Sequence, residues 1–299
     1  MVKLSKRLQC VAEFVTEGAR VADIGSDHAL LPVYLRQTGR CRSAVAGELN
    51  PGPYTAALKQ VQAAGLQATV AVRRGNGLDV IEAADETDTV IIAGMGGVLI
   101  SEILEAGRVK GKLANVYKLI LQPNVGEFAV RRWLVAHNWL LKAETILEED
   151  GKIYEIIQAV REVGVSEAGM NDSGSTGVDN GTDADNKTAD AHNGMRDGDP
   201  DTAQNGNRSL YDTGLIFDEC GIQVTQELLY SLGPLLIRNP NEVWRKKWQL
   251  ELDKLEHICQ QLAQSGQQES REKESTLRQE MNKIKEVLAC SHRDKPSSS

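Results

Sequence analysis

The sequence predicts an α/β fold: an open, doubly wound, mostly parallel sheet that finishes in an antiparallel hairpin, followed by a C-terminal α-helical hairpin. Three observations carry this expectation. Short apolar runs alternate with helical patterns through residue 137, and each run ends in polar or glycine-containing residues. Two strand-like runs flank Glu149-Asp150-Gly151, and Asp-Gly is a strong hairpin turn. Near the C-terminus, two stretches repeat apolar residues every three or four positions with a breaker between them.

Leu4, Leu8, Val11, Ala12 and Val15 have helical spacing and predict a leading helix. The strand Arg20–Ile24 then runs into Gly25-Ser26-Asp27-His28, and a helix follows through about Arg36. A second strand at 43–47 ends in Glu48; Asn50-Pro51-Gly52-Pro53 reads as a loop, and a helix continues from Tyr54 until Gly65. The third strand covers 68–72 and the fourth, Thr89–Ala93, enters Gly94-Met95-Gly96-Gly97. The fifth, Lys118–Leu121, ends at Gln122-Pro123-Asn124 and precedes a helix over 127–137. Leu140–Glu148 and Lys152–Val160 form the closing hairpin, which distinguishes a Rossmann-like sheet of methyltransferase type from an all-parallel dehydrogenase sheet.

Residues 1–162 form the expected sheet domain. Residues 163–209 are rich in Asn, Asp, Gly, Ser and Thr, cannot bury enough apolar area to offset ordering, and are expected to be a disordered acidic linker. Over 210–290 the spacing of Trp244, Trp248, Leu252, Leu255, Cys259 and Leu262, then of Leu277, Met281, Ile284 and Leu288, predicts a coiled-coil hairpin; 291–299 is a loose tail. The formal charge of −8 is unevenly spread: residues 1–162 balance at 19 basic and 19 acidic side chains, whereas 163–209 carry 3 against 9. An acidic protein overall therefore still has a neutral sheet domain open to nucleic acid. Cys10, Cys41, Cys220, Cys259 and Cys290 lack zinc spacing and are expected as reduced thiols, and no bound metal is expected. No apolar run approaches the ~20 residues that span a bilayer, and no signal-peptide pattern opens the chain, so a cytoplasmic protein without a membrane partner is expected.

In an open parallel sheet, ligands bind beyond the carboxyl ends of the strands. Glu48, 25 residues after Asp23, is placed to accept hydrogen bonds from a ribose. Gly25 permits close backbone approach, but His28 and Leu30 spoil a dinucleotide glycine pattern. Asp23 and Asp27 disfavour pyrophosphate and suit a ligand with positive charge, such as a sulfonium; Asp27 alternatively caps the next helix. Met95 between glycines offers an adaptable apolar contact to a planar substrate, and Gln122 and Asn124 offer amides for the edge of a base, with Pro123 restricting Gln122 to an extended backbone. Basic residues at 6–7, 36–42, 108–112, Arg131-Arg132 and Arg245-Lys246-Lys247 form a possible phosphate-tracking stripe.

Ala22-Asp23-Ile24-Gly25-Ser26-Asp27-His28-Ala29, Gly47-Glu48, Gly75-Asn76-Gly77-Leu78, Ala93-Gly94-Met95-Gly96-Gly97, Leu121-Gln122-Pro123-Asn124, Tyr154-Glu155 and Gly233-Pro234-Leu235-Leu236 occur in this order. In this set the chain resembles the bacterial tRNA (adenine-22-N1)-methyltransferases. The resemblance implies S-adenosyl-L-methionine as cofactor, tRNA as partner and methyl transfer to adenine N1. It implies cofactor contacts from Asp23, Gly25, Asp27, His28, Glu48, Leu49, Asn76, Gly77, Ala93 and Gly94. Asp27, Asn124 and Met95 then surround the reacting base, and Gln122, Pro123, Asn124, Arg131, Arg132, Lys246 and Lys247 hold the RNA. Asn76 replaces the aspartate usual in the family, and the linker is longer than expected. A methyltransferase for another RNA or a small amine, a noncatalytic cofactor-binding adaptor and a nicotinamide dehydrogenase are the competing readings. A monomer is expected, with a coiled coil that is able to dimerise left open.

Overall fold

A computed structural model of the chain describes residues 1–161, 207, 209–211, 222, 224–265 and 267–291. Five parallel strands form its centre: β1 (Ala19–Ile24), β2 (Cys41–Glu48), β3 (Val70–Arg74), β4 (Thr89–Gly96) and β5 (Lys118–Val125). Helices α1 (Lys6–Glu13), α2 (Leu30–Gln37), α3 (Pro51–Ala63), α4 (Gly97–Val109) and α5 (Glu127–Ala136) cover its two faces. The hairpin β6 (Leu140–Glu149) and β7 (Lys152–Val160) closes the sheet, whose strand order is β3-β2-β1-β4-β5-β7-β6. β7 runs antiparallel to both β5 and β6, as expected from the Asp-Gly turn. Asp150 and Gly151 both take positive φ, 50° and 71°, which the tight hairpin requires.

Alternation along the strands divides the core. Ile92, Leu119 and Leu121 pack with Leu104 and Trp133 on one face, and Val21, Ile91 and Ile120 pack with Val11, Leu31 and Leu35 on the other. β1 pairs with β2 on one side and β4 on the other, so strand order reverses between β1 and β4. In an open α/β sheet such a reversal is where ligands bind, in the crevice outside the carboxyl ends of the strands.

Three local differences from expectation have simple causes. Asn50–Pro53 is not a loop: α3 begins at Pro51, because a first-turn proline lacks only an N–H that would be unbonded anyway. β4 and β5 continue to Gly96 and Val125, through a register shift where Met95 faces Pro123. Cys290 is disulfide-bonded, against the expectation of thiols throughout, whereas Cys10, Cys41 and Cys259 are free.

The C-terminal part contains α6 (Gln226–Leu232), α7 (Glu242–Gln264) and α8 (Gln268–Cys290), the last two being 23-residue helices joined by a short turn. Trp244, Trp248, Leu252 and Cys259 face Met281, Ile284 and Val287 in a buried cluster that includes Ile146 of β6. The acidic segment lies almost wholly outside the described residues, as does the tail beyond Ser291. Asn207, assigned by composition to that segment, is buried: its amide donates to the Trp139 carbonyl (2.8 Å) and its Oδ1 accepts from the Leu141 N–H.

A buried ionic network joins the two parts. The Arg131 guanidinium, fully inaccessible, pairs with Glu144 and Glu155 and donates to the carbonyls of Tyr230 and Ser231. Glu144 also accepts the Leu235 N–H (2.8 Å), and Glu155 accepts from Lys247, which reaches Glu127 as well. Burial opposes the charge on Arg131, but the two carboxylates outweigh it and raise its pKa. Burial likewise opposes ionisation of Glu155, and Lys247 and Arg131 outweigh it and lower its pKa. Arg131→Met leaves Glu144 buried without its ion-pair partner and Glu155 with Lys247 alone; urea unfolding followed by circular dichroism is expected to show about 3–5 kcal/mol of destabilisation.

Candidate active site

The site is built on the turn after β1. Gly25, at φ 69°, is followed by Asp27, His28 and Ala29 at φ 40°, 69° and 54°, three consecutive residues with side chains in the left-handed region. Such a run persists only when its surroundings impose it. Here β2 supplies the restraint: the Gly25 and Ser26 N–H groups donate to the Gly47 carbonyl (2.9 and 3.2 Å), and the Asp27 N–H donates to Glu48 Oε1 (2.5 Å). α2 starts after this run with Ala29 as its cap and no side-chain capping bond, so Asp27 does not cap it. A Cβ on Gly25 would collide with the Met95 methyl, so this glycine is required by protein packing as well as by its φ.

Asp23 and Glu48 are both buried, 4% and 6% exposed. Burial pushes the Asp23 carboxyl up to about 7; the Ser26 hydroxyl, donating to Oδ2 at 2.6 Å, opposes this, Glu48 adds to it and Arg7 opposes it. Burial also raises the Glu48 pKa, with the Asp27 N–H in opposition. Only Glu48 Oε1 is engaged by a hydrogen bond among the described residues, which leaves Oε2 for a ligand hydroxyl. Asn76 is exposed with no side-chain hydrogen bond, so its amide is open to the edge of a base, and Leu49 beside it is an exposed apolar surface. Gly77 and Gly94 both take positive φ, a backbone conformation that favours glycine, and a Cβ on Gly77 would also press on Ile103. This cradle fits a nucleoside with a cationic extension: an acid for the ribose, an amide for the base and a buried acid at the strand crossing.

At the end of β5 the amides are already partly committed. Gln122 is fully buried; its Oε1 accepts from Arg7 (2.5 Å) and the Gly94 N–H (3.1 Å), and its Nε2 donates to the Pro123 carbonyl and Asn124 Oδ1. It therefore fixes the ends of β4 and β5 and has no edge left to read a base, contrary to expectation. Asn124 is exposed, and its Nδ2 donates to the Gly94 carbonyl (2.8 Å), which orients the remaining N–H and lone pair. Asn124 stands at one end of a cleft of about 1280 Å³ between the sheet domain and the helical hairpin, walled by Phe128, Lys152, Tyr154, Trp248 and Lys283.

The other expected residues are only partly assembled. Asp23, Gly25, Glu48, Met95, Gly94 and Asn124 converge on the crevice. Asp27 and His28 are exposed, 84% and 56%, and pair with each other at 3.3 Å. Arg131 is a correction: its guanidinium has no exposed surface for RNA and serves the buried network. Lys247 is mostly buried between Glu127 and Glu155. Arg132 pairs with Glu227 and Lys246 with Glu148, both on the surface, so the basic stripe is interleaved with acids. Among the described residues no cluster of three or more His, Cys, Asp or Glu is arranged to hold a metal.

Arg7 was missed as a site residue. It was visible only as a surface cation, yet it reaches Gln122 and Gly94 because α1 is seated over the strand ends. Glu149, at the hairpin tip, accepts the N–H groups of Lys6 and Arg7 (2.6 and 3.1 Å), an acid at a helix N-terminus. No local pattern signals a contact across 142 residues.

Comparison with known proteins agrees with this geometry. The sequence profile described as TrmK, tRNA (adenine(22)-N(1))-methyltransferase, matches residues 21–175. A Bacillus subtilis (strain 168) protein named tRNA (adenine(22)-N(1))-methyltransferase is 38% identical over 288 residues, 96% of this chain and 98% of its own. The crystal structure of the B. subtilis M1A22 tRNA methyltransferase TrmK has a TM-score of 0.71 at 36% identity, covering 96% of this chain and 100% of that one. A Streptococcus pneumoniae protein crystallised with S-adenosyl-L-methionine has a TM-score of 0.67 at 36% identity, with the same coverage. The profile match over residues 21–175 and the 38% identity over nearly the whole chain lead to one conclusion: this chain belongs to the tRNA (adenine(22)-N(1))-methyltransferase family.

Proposed function

We propose that the chain transfers the methyl group of S-adenosyl-L-methionine to N1 of adenine 22 in tRNA, as a cytoplasmic monomer whose helical hairpin grips the RNA as a coiled-coil arm. The observation that carries the reading is the pair of buried acids, Asp23 at the end of β1 and Glu48 at the end of β2, beside a strained turn where strand order reverses between β1 and β4. The bound cofactor supplies an electrophilic methyl on a sulfonium. Glu48 binds the ribose through its unengaged oxygen, Asn76 meets the adenine edge, and ionised Asp23 attracts the positive end of the ligand. Adenine N1 carries its own lone pair, so no side chain has to remove a proton before attack, and the work of the site is orientation and exclusion of water. Asn124, held by Gln122 and the Gly94 carbonyl, presents a fixed amide to the base, with Met95 as its apolar neighbour. The target must leave its stack to arrive there, and the cleft that runs from Asn124 to the helical hairpin gives the RNA body room. No helix among the described residues is long and apolar enough to cross a membrane.

The decisive experiment is nucleotide mapping of treated tRNA by primer extension and mass spectrometry. A single N1-methyladenine at position 22 is expected, with none on a transcript carrying guanine there. Equal labelling of that transcript points to another RNA site, and cofactor binding without any transfer to bulk tRNA points to an adaptor. Asn124→Ala should lower kcat by about 10²-fold or more, with cofactor affinity within about threefold, because it removes orientation and leaves the cradle intact.

Asp23 gives the site a pH signature. With a free-protein pKa of about 7, its ionised fraction rises as pH increases from 6 to 8. A cationic ligand selects the ionised form, so binding below pH 7 releases a proton. Affinity is expected to strengthen about tenfold across that range, following the ionised fraction. Calorimetry in buffers of different ionisation enthalpy measures both effects, and Asp23→Asn should weaken binding and flatten the profile.

A further inference from the structure

We infer that the ring of Phe128, backed by Arg132, is the platform on which a tRNA base adjacent to the target adenine stacks, an inference that rests on the tRNA reading above. Phe128 is 43% exposed and belongs to none of the three buried apolar clusters. Nor does it secure the start of its own helix. It is the second residue of α5, whereas a hydrophobic staple there would join Val125 to Val130, and Val125 is 68% exposed while Val130 is buried in the sheet domain. Single exposed apolar side chains are common on proteins. Phe128 is set apart by the group that stands behind its ring and by the cleft that its ring lines.

The group behind it is Arg132, one helical turn further on. Its guanidinium carbon stands over the Phe128 ring, 5.7 Å from the centroid, and over the Tyr230 ring, also at 5.7 Å. Tyr230 is buried and Glu227 holds the guanidinium in an ion pair, so Tyr230, Arg132 and Phe128 form a layered stack whose inner end is fixed. A ring held from behind loses little further freedom when a flat partner settles on it. The stack sits in the wall of the cleft that starts at Asn124, four residues earlier in the chain. Among the described residues that wall carries five basic and five acidic side chains, a balance unsuited to tracking a phosphate backbone. Val125, Phe128 and Leu250 give it exposed apolar surface instead. An unpaired base is the part of an RNA that offers a flat, uncharged face to such a surface. Extrusion of the target adenine creates that face, because each neighbour in the strand loses a stacking partner when the adenine leaves. With Asn124 assigned to the target, Phe128 lies beyond it in the cleft, where the adjacent base arrives.

The test measures tRNA binding to the full-length protein by fluorescence anisotropy over a salt series, together with kcat and KM for tRNA. Phe128→Ala should weaken tRNA binding about tenfold to a hundredfold and raise KM for tRNA in step. Its affinity for S-adenosyl-L-methionine should stay within about threefold, and its salt slope should match the wild type, since no phosphate contact is lost. Phe128→Trp should bind like the wild type, whereas Phe128→Leu, which keeps apolar bulk without a π face, should lose most of what alanine loses. Transcripts abasic at the position before or after the target identify the partner. One of them should cost the wild type about what Phe128→Ala costs, and combining the two changes should add less than about threefold. Undiminished binding by Phe128→Ala overturns the inference, and wild-type binding by Phe128→Leu overturns it in favour of a plain apolar contact. A reduced salt slope overturns it in favour of a phosphate held through Arg132. A Phe128 effect that persists on both neighbour-abasic transcripts and vanishes on one abasic at the target overturns it in favour of the adenine itself. Should Phe128→Ala not fold, the leucine and tryptophan variants and the abasic transcripts decide in the same way. A wild type that binds no tRNA overturns the tRNA reading and this inference with it, whereas a failure confined to Phe128 leaves that reading standing.

Discussion

Arg131 carries a full charge in a place without water, and the groups around it are arranged to satisfy that charge. Glu144 and Glu155 come from the closing hairpin, the carbonyls of Tyr230 and Ser231 from the end of α6, and Lys247 from α7. Taking so many ions out of water is expensive, and a well-packed apolar cluster would serve stability as well. What the network adds is direction. Its bonds specify how the sheet domain and the helical part meet, and the width of the cleft from Asn124 to Trp248 follows from that meeting.

The cofactor crevice applies the same logic with fewer partners. Asp23 has a hydroxyl and a distant guanidinium but no counter-ion in contact, and its raised pKa records the deficit. Glu48 has a divided role: one oxygen restrains the left-handed turn and the other faces the ligand site. Backbone strain and incomplete charge compensation thus occur together where strand order reverses. On the proposed reading, a cationic ligand would supply the counter-charge that Asp23 lacks, while the backbone strain stays imposed by β2.

Much of this was legible in the sequence because the features are local. The alternation of strands and helices, the Asp-Gly hairpin, Glu48 at a strand end and the spacing of Trp244, Trp248 and Leu252 all follow from periods of 2 and 3.6 and from turn chemistry. Errors arose where distant segments meet. Nothing near Arg131 distinguishes it from Arg132, yet one is enclosed and the other lies on the surface, because helical phase turns adjacent residues to different faces. The sequence offers Gln122 as a reader of bases, but Arg7 and Gly94, from other elements, occupy its carbonyl. The sequence leaves Asp27 open between a ligand carboxylate and a helix cap, and the second alternative fails because three left-handed residues separate the strand from α2, which Ala29 caps.

The entry and exit of the acidic segment have one more consequence. Val160, just before it, is paired with Leu140, and Asn207, near its end, is bonded to Trp139 and Leu141. The chain therefore leaves and rejoins the domain at one spot on the edge of the sheet. For a loop whose ends already meet, doubling its length costs only about 0.6 kcal/mol of closure entropy. Insertions and deletions at this position are thus nearly invisible to the folded frame. A domain or tag grafted between these two ends has no distance across the molecule to span.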